Sequence, residues 1–276
     1  MEDFPHTRVS VITVVRNGAS LIRPTIESVL TQTYPHLEYI VLDGDSRDGT
    51  QDQVRTYGDR IAKFVSEPDR GISEAFNKAI AWATGDLIIL MNAGDVFFSP
   101  TTIEDCLGHI AMPLAKIRRS VIYGDTLHVG RFGELLEKAD HRNLVNGRSL
   151  GHQASFVGAE IYRTHQYDPR LPLSMDFDFW LRCAQDASIS FYHIDVVIVR
   201  FLVGGVSGAP STRERAEAYS AIVRILNATA PNEPKILLRA AGRILATRAK
   251  LRMRRLIGDQ GYRSIKALFG RRDLHW

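Results

Sequence analysis

Three aspartates follow apolar runs of this chain at the points where those runs end. In chain order they are Asp43 after residues 39–42, Asp69 after residues 61–65 and Asp95 after residues 87–91. A carboxylate in such a place suits Mg²⁺ or Mn²⁺, because these ions take one or two carboxylates from a protein and keep positions for phosphate oxygens. Carboxylates also accept hydrogen bonds from sugar hydroxyls. One acidic turn residue is weak evidence, but three of them favour a shared binding site.

The apolar runs alternate with segments of helical spacing. Strands are predicted at residues 9–15, 39–42, 61–65 and 87–91, and helices at 21–31, 51–57 and 72–83. Ser20 is predicted to cap the first helix. The alternation predicts βαβ units, and hence an α/β fold with a mostly parallel sheet flanked by helices. Ligands of such sheets bind beyond the carboxyl ends of the strands, so the three aspartates are expected to converge there.

Each acidic residue also has an ordinary explanation. Aspartate is common as a cap in the loops between strands and helices, so the three aspartates could be unrelated turn residues. Asp48, two residues before Thr50, fits a cap or turn equally well. Asp125, after the apolar pair at 121–122, is a further acid predicted at a strand end, and turn chemistry explains it.

The composition is that of an ordinary globular protein. With 276 residues, 45% of them hydrophobic, the chain can form one large α/β domain with an appendage. No apolar run approaches the roughly 18 residues of a membrane span, and the acidic first residues lack the pattern of a signal peptide. Cys106 and Cys183 are far apart in the sequence, so no disulfide framework is expected. These features predict a cytoplasmic protein.

Charge is distributed unevenly along the chain. The formal net charge is +4, but the residues after 234 contain twelve Lys and Arg and two Asp, so they carry +10 and the rest carries −6. Leucine, alanine and methionine recur there at every fourth position from Leu237 to Met253. This pattern predicts a helix with an apolar stripe and a cationic face, which suits an anionic membrane surface through residues 235–272. The alternatives are packing on the protein itself and a homodimer contact. No nucleic acid is expected, because the body is acidic and aromatic residues do not alternate with the bases.

Four segments of the chain resemble one known family. They are residues 9–17 (VSVITVVRN), 41–50 (VLDGDSRDGT), 66–72 (SEPDRGI) and 91–95 (MNAGD), in the order and at the spacing of that family. Over residues 8–208 the chain resembles family 2 glycosyltransferases with the GT-A fold, and within them the bacterial group for exopolysaccharide, O-antigen and colanic acid synthesis. The resemblance implies a GT-A catalytic domain at residues 1–210, with a Rossmann-like sheet, and a basic helical C-terminal extension at residues 211–276.

The resemblance also implies an activity. The family moves a sugar with inversion from a nucleoside diphosphate sugar, here UDP- or GDP-linked, to a hydroxyl of a glycan or lipid-linked saccharide. Such an enzyme would work on surface polysaccharide in the cytoplasm, with peripheral association at the inner face of the plasma membrane. A Gly-rich segment at residues 201–208 resembles the closing loop of the group and could approach the diphosphate.

Residue by residue, the resemblance assigns a nucleotide-sugar site and a metal ligand. The residues assigned to the nucleotide sugar are Thr13, Val15, Asn17, Asp43, Asp69, Arg70, Gly71, Asn77, Lys78, Asn92, Ala93, Gly94, His152 and Gln153. Asp95 is the expected ligand of a divalent cation, Mn²⁺ or Mg²⁺. Because Asn92 and Gly94 stand where many relatives have acids, the metal motif is degenerate, and diphosphate and water would complete the coordination. A solvated Lys78 and a structural His152 are the alternatives for those two residues.

A further aspartate resembles the catalytic base of the family. The segment at residues 173–182 (LSMDFDFWLR) resembles a motif in which Glu-Asp precedes apolar residues, Trp and Arg. Asp176 matches the Asp, and Met175 replaces the Glu. As a base it would take the proton of the acceptor hydroxyl, and the absence of a second nucleophile from the motif agrees with inversion. The alternative is an acid at a helix N-terminus, worth about 0.3–1 kcal/mol, a role that Asp178 fits better.

Other functions fit the residues less well. A dinucleotide oxidoreductase would have Gly-X-Gly-X-X-Gly after the first strand, where only Gly18 is present. A nucleotidyltransferase would have a basic, Gly-rich loop at the same place. A catalytically weak or inactive sugar-nucleotide-binding module, acting as a membrane-associated partner protein, remains the alternative to the enzyme.

Overall fold

The computed structural model describes residues 7–130, 133–146, 149–171 and 175–202. They belong to the first of the two units into which the chain divides, Met1–Gly208. The second unit, Ala209–Trp276, lies outside the described residues. The predictions for the basic extension and for the Gly-rich segment beyond Leu202 therefore concern residues that the structure does not describe.

The described residues form nine strands and seven α-helices. The strands are β1 Val9–Val15, β2 Leu37–Asp43, β3 Lys63–Ser66, β4 Leu87–Asn92, β5 Val96–Phe97, β6 Ser120–Gly130, β7 Gly133–Glu137, β8 Ser155–Gly158 and β9 Ser190–Leu202. The α-helices are α1 Ile22–Leu30, α2 Thr50–Arg55, α3 Ile72–Ile80, α4 Thr102–Gly108, α5 Leu114–Ile117, α6 Ala159–Thr164 and α7 Met175–Gln185. Short 3-10 helices occur at Gly58–Arg60, His141–Asn146 and His152–Ala154.

The strands form one mixed sheet in the order β3-β2-β1-β4-β8-β6-β9-β5, with β7 paired to β6. The first four strands are parallel, as the βαβ alternation predicts. Strand β8 is antiparallel to both of its neighbours, β4 and β6. Strands β6 and β9 are parallel, whereas β5 and β7 pair antiparallel to them. The predicted α/β fold is confirmed, but the sheet is parallel mainly in its first half.

Strand β4 is buried on both faces, as its unbroken apolar run predicts. Each residue from Leu87 to Met91 is at most 2% exposed. Helices α1 and α3 follow β1 and β3 in the chain, and they bury apolar residues such as Ile26 and Phe76. Burying a side chain of this size stabilises a protein by about 1.5–3 kcal/mol. The parallel half of the sheet is therefore a rigid support for the loops at its carboxyl edge.

Two local predictions are wrong. Helix α1 has Leu21 at its N-cap with no side-chain cap, and the backbone N–H groups of Leu21 and Ile22 both donate to the Gly18 carbonyl at 2.9 Å. The loop backbone thus replaces the predicted Ser20 cap. Asp125 does not end a strand, because β6 continues to Gly130. It is buried within the strand, where it accepts a hydrogen bond from Ala139 N at 3.1 Å.

Candidate active site

The first four strands of the sheet end at one edge. In register, Val15 of β1 pairs with Asp43 of β2, and Asp43 pairs with Ser66 of β3. On the other side of β1, Val14 pairs with Asn92 of β4. The loops after these strands therefore start at the same level of the sheet, which is where ligands of open α/β sheets bind.

A cavity of about 340 Å³ lies at this edge. It is lined by Val14, Val15, Arg16, Asn17, Gly18, Leu21, Asp69, Gly71, Ile72, Ala75, Asn92, Ala93, Gly94, Asp95, Phe201 and Leu202. Two of the three strand-end aspartates, Asp69 and Asp95, thus face one space. Eight of the residues were predicted for the site. The other lining residues are mostly apolar and are not among the predicted site residues, although Leu21 and Ile72 stand where helices are predicted to begin.

The third aspartate, Asp43, is fully buried beside the cavity. Its Oδ2 accepts hydrogen bonds from Ser46 N at 2.9 Å and from Ser66 Oγ at 2.7 Å. Its Oδ1 is buried and has no hydrogen-bond partner among the described residues. A buried acceptor without a donor costs free energy. A ligand N–H or O–H group that reached Oδ1 would remove that cost.

Gly44 holds the Asp43 loop against Asp69. A Cβ atom added to Gly44 would overlap Oδ2 of Asp69 and would lie 3.4 Å from side-chain atoms of Arg16. Only glycine lets the two loops approach so closely. Asp69 in turn accepts a hydrogen bond from Gly71 N at 2.8 Å through Oδ1. The Asp43 loop and Asp69, which lines the cavity, are therefore neighbours.

Asn17 joins the loop after β1 to the loop after β2. Its backbone N–H donates to Ser46 Oγ at 2.7 Å, and its Oδ1 accepts from Arg47 N at 3.1 Å. Its φ of 51° is in the left-handed region, which asparagine adopts more readily than most residues. Asn17 also lines the cavity. The left-handed backbone conformation thus favours asparagine at position 17, apart from any contact with a ligand.

Asp95 lies in a tight turn after β4 and is 3% exposed. Its Oδ2 accepts from Asn92 N at 2.9 Å, and its own N–H donates to the Asn92 carbonyl at 3.0 Å. Gly94, with φ of 106°, permits this turn. Burial raises the pKa of Asp95 to about 6, and the nearby His152 opposes that rise. A cation at the carboxyl group would offset the cost of burying its charge.

The protein groups at the cavity fit a cation that takes one ligand from the protein and the others from a substrate and water. No group of three or more His, Cys, Asp and Glu side chains in the described part of the chain could hold a metal ion. Asp95 alone supplies a buried carboxylate that faces the cavity. Mg²⁺ and Mn²⁺ bind in this way, through one or two carboxylates together with phosphate oxygens and water. The degenerate motif at residues 92–95 therefore remains compatible with either ion.

Asp176 reaches the site through His152. Asn92 Nδ2 lies 2.9 Å from Nε2 of His152, and Nδ1 of the same ring lies 3.9 Å from Oδ2 of Asp176. The other carboxyl oxygen of Asp176 accepts from Phe177 N at 2.7 Å. Asp95, Asn92, His152 and Asp176 thus form a continuous chain of contacts from the cavity to the first turn of α7.

The structure places other predicted residues away from the cavity. Thr13 is buried in β1, where its Oγ1 accepts from the Tyr39 hydroxyl at 3.0 Å. Arg70 is exposed, and its backbone N–H donates to Glu74 at 2.9 Å. Gln153 is buried, next to His152. None of the three lines the cavity.

Asn77 and Lys78 are engaged elsewhere. The Asn77 side chain donates to the Tyr167 carbonyl at 2.8 Å and accepts from Tyr167 N at 3.0 Å. Lys78 Nζ forms ion pairs with Glu67 at 2.9 Å and Glu74 at 3.3 Å. Both side chains are therefore explained by tertiary contacts within the fold, and we leave both out of the proposed site.

The described part of the chain contains no helix that is both long enough and apolar enough to span a membrane.

Comparisons with known proteins agree with the fold. The family model "Glycosyl transferase family 2" matches residues 10–157. An uncharacterized glycosyltransferase of Rickettsia bellii is 30% identical over 210 residues, which cover 70% of this chain and 30% of that protein. A PGL/p-HBAD biosynthesis glycosyltransferase of Mycobacterium bovis is 24% identical over 211 residues, which cover 74% of this chain and 81% of that protein. The chain spans about a third of the length of the Rickettsia relatives it matches.

Solved structures share the architecture at low identity. TarS residues 1–349 of S. aureus, in complex with UDP-GlcNAc, has a TM-score of 0.65 at 16% identity, over 87% of this chain and 72% of that chain. Mannosyltransferase PcManGT from Pyrobaculum calidifontis, in complex with GDP-Man and Mn²⁺, has a TM-score of 0.61 at 18% identity, over 95% of this chain and 79% of that chain. The GT-A fold implied by the sequence is thereby confirmed. With the family match over more than half of its length, the chain belongs to glycosyl transferase family 2.

Proposed function

We propose that this chain transfers a sugar, with inversion, from a nucleoside diphosphate sugar to a hydroxyl group of a saccharide acceptor. One observation carries the proposal. Asp69 and Asp95 line a single cavity at the carboxyl edge of the sheet, and Asp176 connects to the same place through His152. The bound UDP-GlcNAc of TarS and GDP-Man of PcManGT make UDP- and GDP-sugars the first donors to test.

In this proposal the part of the cavity near Asp69, next to the Asp43 loop, holds the nucleoside. The unpartnered Oδ1 of Asp43 would accept a hydrogen bond from a base N–H or a ribose hydroxyl. Asp69, beside Gly44, would accept from a second hydroxyl or N–H. The apolar wall that includes Leu21, Ile72 and Phe201 would cover the flat faces of the ligand.

The diphosphate would lie toward Asp95. A divalent cation bound there would stabilise the negative charge that develops on the leaving nucleoside diphosphate. Asp95 and the diphosphate oxygens would hold the ion, and PcManGT is known with Mn²⁺ bound. This chain's own contribution is a buried carboxyl group, which the Asn92 backbone N–H orients at 2.9 Å.

Asp176 would act as the general base. It lies in the first turn of α7 and is 29% exposed, so an acceptor hydroxyl can reach it. As the acceptor oxygen forms its bond to the anomeric carbon, its proton passes to the Asp176 carboxylate and the bond to the diphosphate breaks. A single displacement of this kind inverts the anomeric centre.

The acceptor is proposed from sequence rather than from geometry. A glycan or lipid-linked saccharide of a surface polysaccharide is the acceptor class that the motif resemblance favours. The charge of +10 after residue 234 supports recruitment to an anionic membrane, where a lipid-linked acceptor would be found.

A donor screen tests the proposal. Release of UDP or GDP is measured from a panel of UDP- and GDP-sugars, with Mn²⁺ and a lipid-linked saccharide acceptor, for wild type, Asp95→Ala and Asp176→Asn. We expect turnover of at least one donor and a loss of about 10²–10⁴-fold in kcat for Asp176→Asn. Asp52→Asn is the matched control, because Asp52 is an exposed acid in α2.

Two results would contradict the proposal in different ways. Full activity of Asp176→Asn would refute the base assignment. Tight nucleotide binding without turnover of any donor would instead favour a binding module.

A further inference from the structure

We propose that His152 is a positioning residue, which holds the Asp176 carboxylate in place, and that Asn92 selects the ring tautomer that allows this. The inference rests on the proposed role of Asp176 as base. It concerns a residue that the sequence resemblance assigns to the donor sugar instead, so the two assignments predict different kinetic effects.

The tautomer follows from the partner of Nε2. Asn92 Nδ2 lies 2.9 Å from Nε2 of His152. An amide nitrogen only donates, so Nε2 accepts, and the proton of the neutral ring is on Nδ1. With a neutral ring, reversal of the Asn92 amide would place a lone pair of Nδ1 toward the Asp176 carboxylate, which is repulsive; a protonated ring would carry N–H on Nδ1 in either case. The arrangement that satisfies both neighbours therefore has Nδ1–H directed at Asp176.

The Nδ1 atom lacks a hydrogen-bond partner. It is buried, and no acceptor in the described ranges is within hydrogen-bond distance of it. Asp176 Oδ2 is 3.9 Å away. An approach of roughly 1 Å would bring the two atoms to ordinary hydrogen-bond distance. A buried N–H group without a partner favours that approach, because the hydrogen bond would remove its cost.

The ring has little freedom to turn away. His152 begins the short 3-10 helix that leads into β8, the strand between β4 and β6. The fully buried Phe76 packs edge-on against the ring, with centroids 5.7 Å apart. Asn92 holds the opposite ring nitrogen. The direction of Nδ1–H is thus determined by the β4 edge and α3 and not by Asp176.

The second carboxyl oxygen of Asp176 is also held. Oδ1 accepts from Phe177 N at 2.7 Å. With Nδ1–H on Oδ2, the carboxylate would be fixed at two points, and each oxygen would keep a lone pair for the acceptor hydroxyl. Orientation of this kind matters because a misplacement of about 1 Å can cost roughly 10²-fold in rate.

Asn92 also connects this pair to the turn that contains Asp95. Its side chain contacts His152, and its backbone N–H donates to Asp95 Oδ2 at 2.9 Å. One residue thus sets the geometry on the diphosphate side and, through His152, on the acceptor side. An amide at position 92 therefore serves both contacts.

Two substitutions at His152 separate its ring nitrogens. His152→Asn keeps a donor near the position of Nδ1 and loses the contact with Asn92, whereas His152→Gln extends its amide toward Asn92 and loses the donor at Asp176. For His152→Gln we expect kcat to fall by about 10–100-fold, with KM for the donor sugar and Kd for UDP or GDP within twofold of wild type. His152→Asn is expected to recover most of that loss.

The outcomes distinguish this inference from the proposed function. The screen includes Asp176→Asn and the double variant His152→Gln/Asp176→Asn, which should be no slower than Asp176→Asn alone, because the two residues act through one group. If Asp176→Asn is slow but both His152 variants keep the wild-type kcat, the inference is overturned and the proposed base is not. Equal losses in the two His152 variants, or a raised KM with unchanged kcat, would also overturn it. A fully active Asp176→Asn would instead overturn the proposed base.

Discussion

The burial of Asp95 predicts that its ionised carboxyl group lowers the free energy of unfolding, although the proposed binding site needs it. In Asp95→Asn, an amide of nearly the same shape replaces the carboxylate, and its oxygen can still accept from Asn92 N. We expect the variant to have a higher free energy of unfolding than wild type at pH 7.5, and to lose activity. Such a trade between stability and function is common at sites that bury charge.

The magnitude follows from the pKa of Asp95. Burial raises it from an ordinary 3.8 to about 6. Because the folded pKa is above the unfolded one, the folded state binds more protons between these values, and stability falls as pH rises through that window. A tenfold difference in the acid dissociation constant between the folded and unfolded states corresponds to about 1.4 kcal/mol. The full cost of the ionised carboxyl group, reached above about pH 6, is therefore about 3 kcal/mol. The cost vanishes only well below pH 4, where the carboxyl group is protonated in both states.

The assay is urea unfolding of wild type and Asp95→Asn at pH 4.5, 5.5, 6.5 and 7.5. Unfolding is followed by tryptophan fluorescence, to which the fully buried Trp180 contributes. EDTA is present and nucleotide is absent, because any ligand of the folded state would raise the apparent stability. The difference between the two proteins cancels the titration of every group that does not interact with Asp95. We expect it to grow from about 1 kcal/mol at pH 4.5 to about 3 kcal/mol at pH 7.5.

The refuting result is specific. A variant that is equally or less stable at pH 7.5, or a difference that does not change with pH, would show that the buried carboxylate carries no such cost. If the prediction holds, addition of Mn²⁺ and UDP should make wild type the more stable of the two proteins, since only wild type gains stability from a cation at Asp95.

Further predictions concern the proposed nucleoside site near Asp43 and Asp69. Asp43→Asn should raise Kd for UDP or GDP by about 10–100-fold in calorimetry, because the unpartnered Oδ1 would no longer be a reliable acceptor; an unchanged Kd would contradict the role of Asp43. Gly44→Ala should weaken nucleotide binding by at least about tenfold, because the added Cβ displaces the Asp69 carboxylate. Gly108→Ala is its control, since a Cβ atom there meets nothing within 4 Å and binding should not change. Equal binding by both glycine variants would refute the close approach of the two loops.

Much of the parallel half of the fold could be predicted from local pattern. The apolar run of β4, bounded by glycines, gives an unambiguous buried strand, and the structure confirms its burial. The sequence also predicts a cap or turn role for Asp48, and its hydrogen bond to the backbone two residues later fits a turn. Its Oδ1 accepts from Thr50 N at 3.1 Å. Local hydrogen bonds of this kind are encoded within a few residues and are therefore readable.

The second half of the sheet could not be read in the same way. Strand β6 continues past Asp125 because β9 pairs with it along nearly its whole length, and β9 lies far away in the sequence. The approach of His152 to Asp176 depends on β8, an antiparallel strand that inserts between β4 and β6. The apolar wall of the cavity combines the starts of α1 and α3 with the end of β9. Such contacts arise from tertiary packing, which periodicity does not report.

The central claim is that carboxylates from separate loops surround one nucleotide. Isothermal titration calorimetry with UDP and with GDP, in the presence of Mn²⁺, measures this directly for wild type, Asp69→Asn and the exposed control Asp52→Asn. We predict saturable binding of one of the two nucleotides by wild type and by the control, and binding at least about tenfold weaker by Asp69→Asn. Absence of binding to wild type, or equal affinity in all three proteins, would contradict the claim.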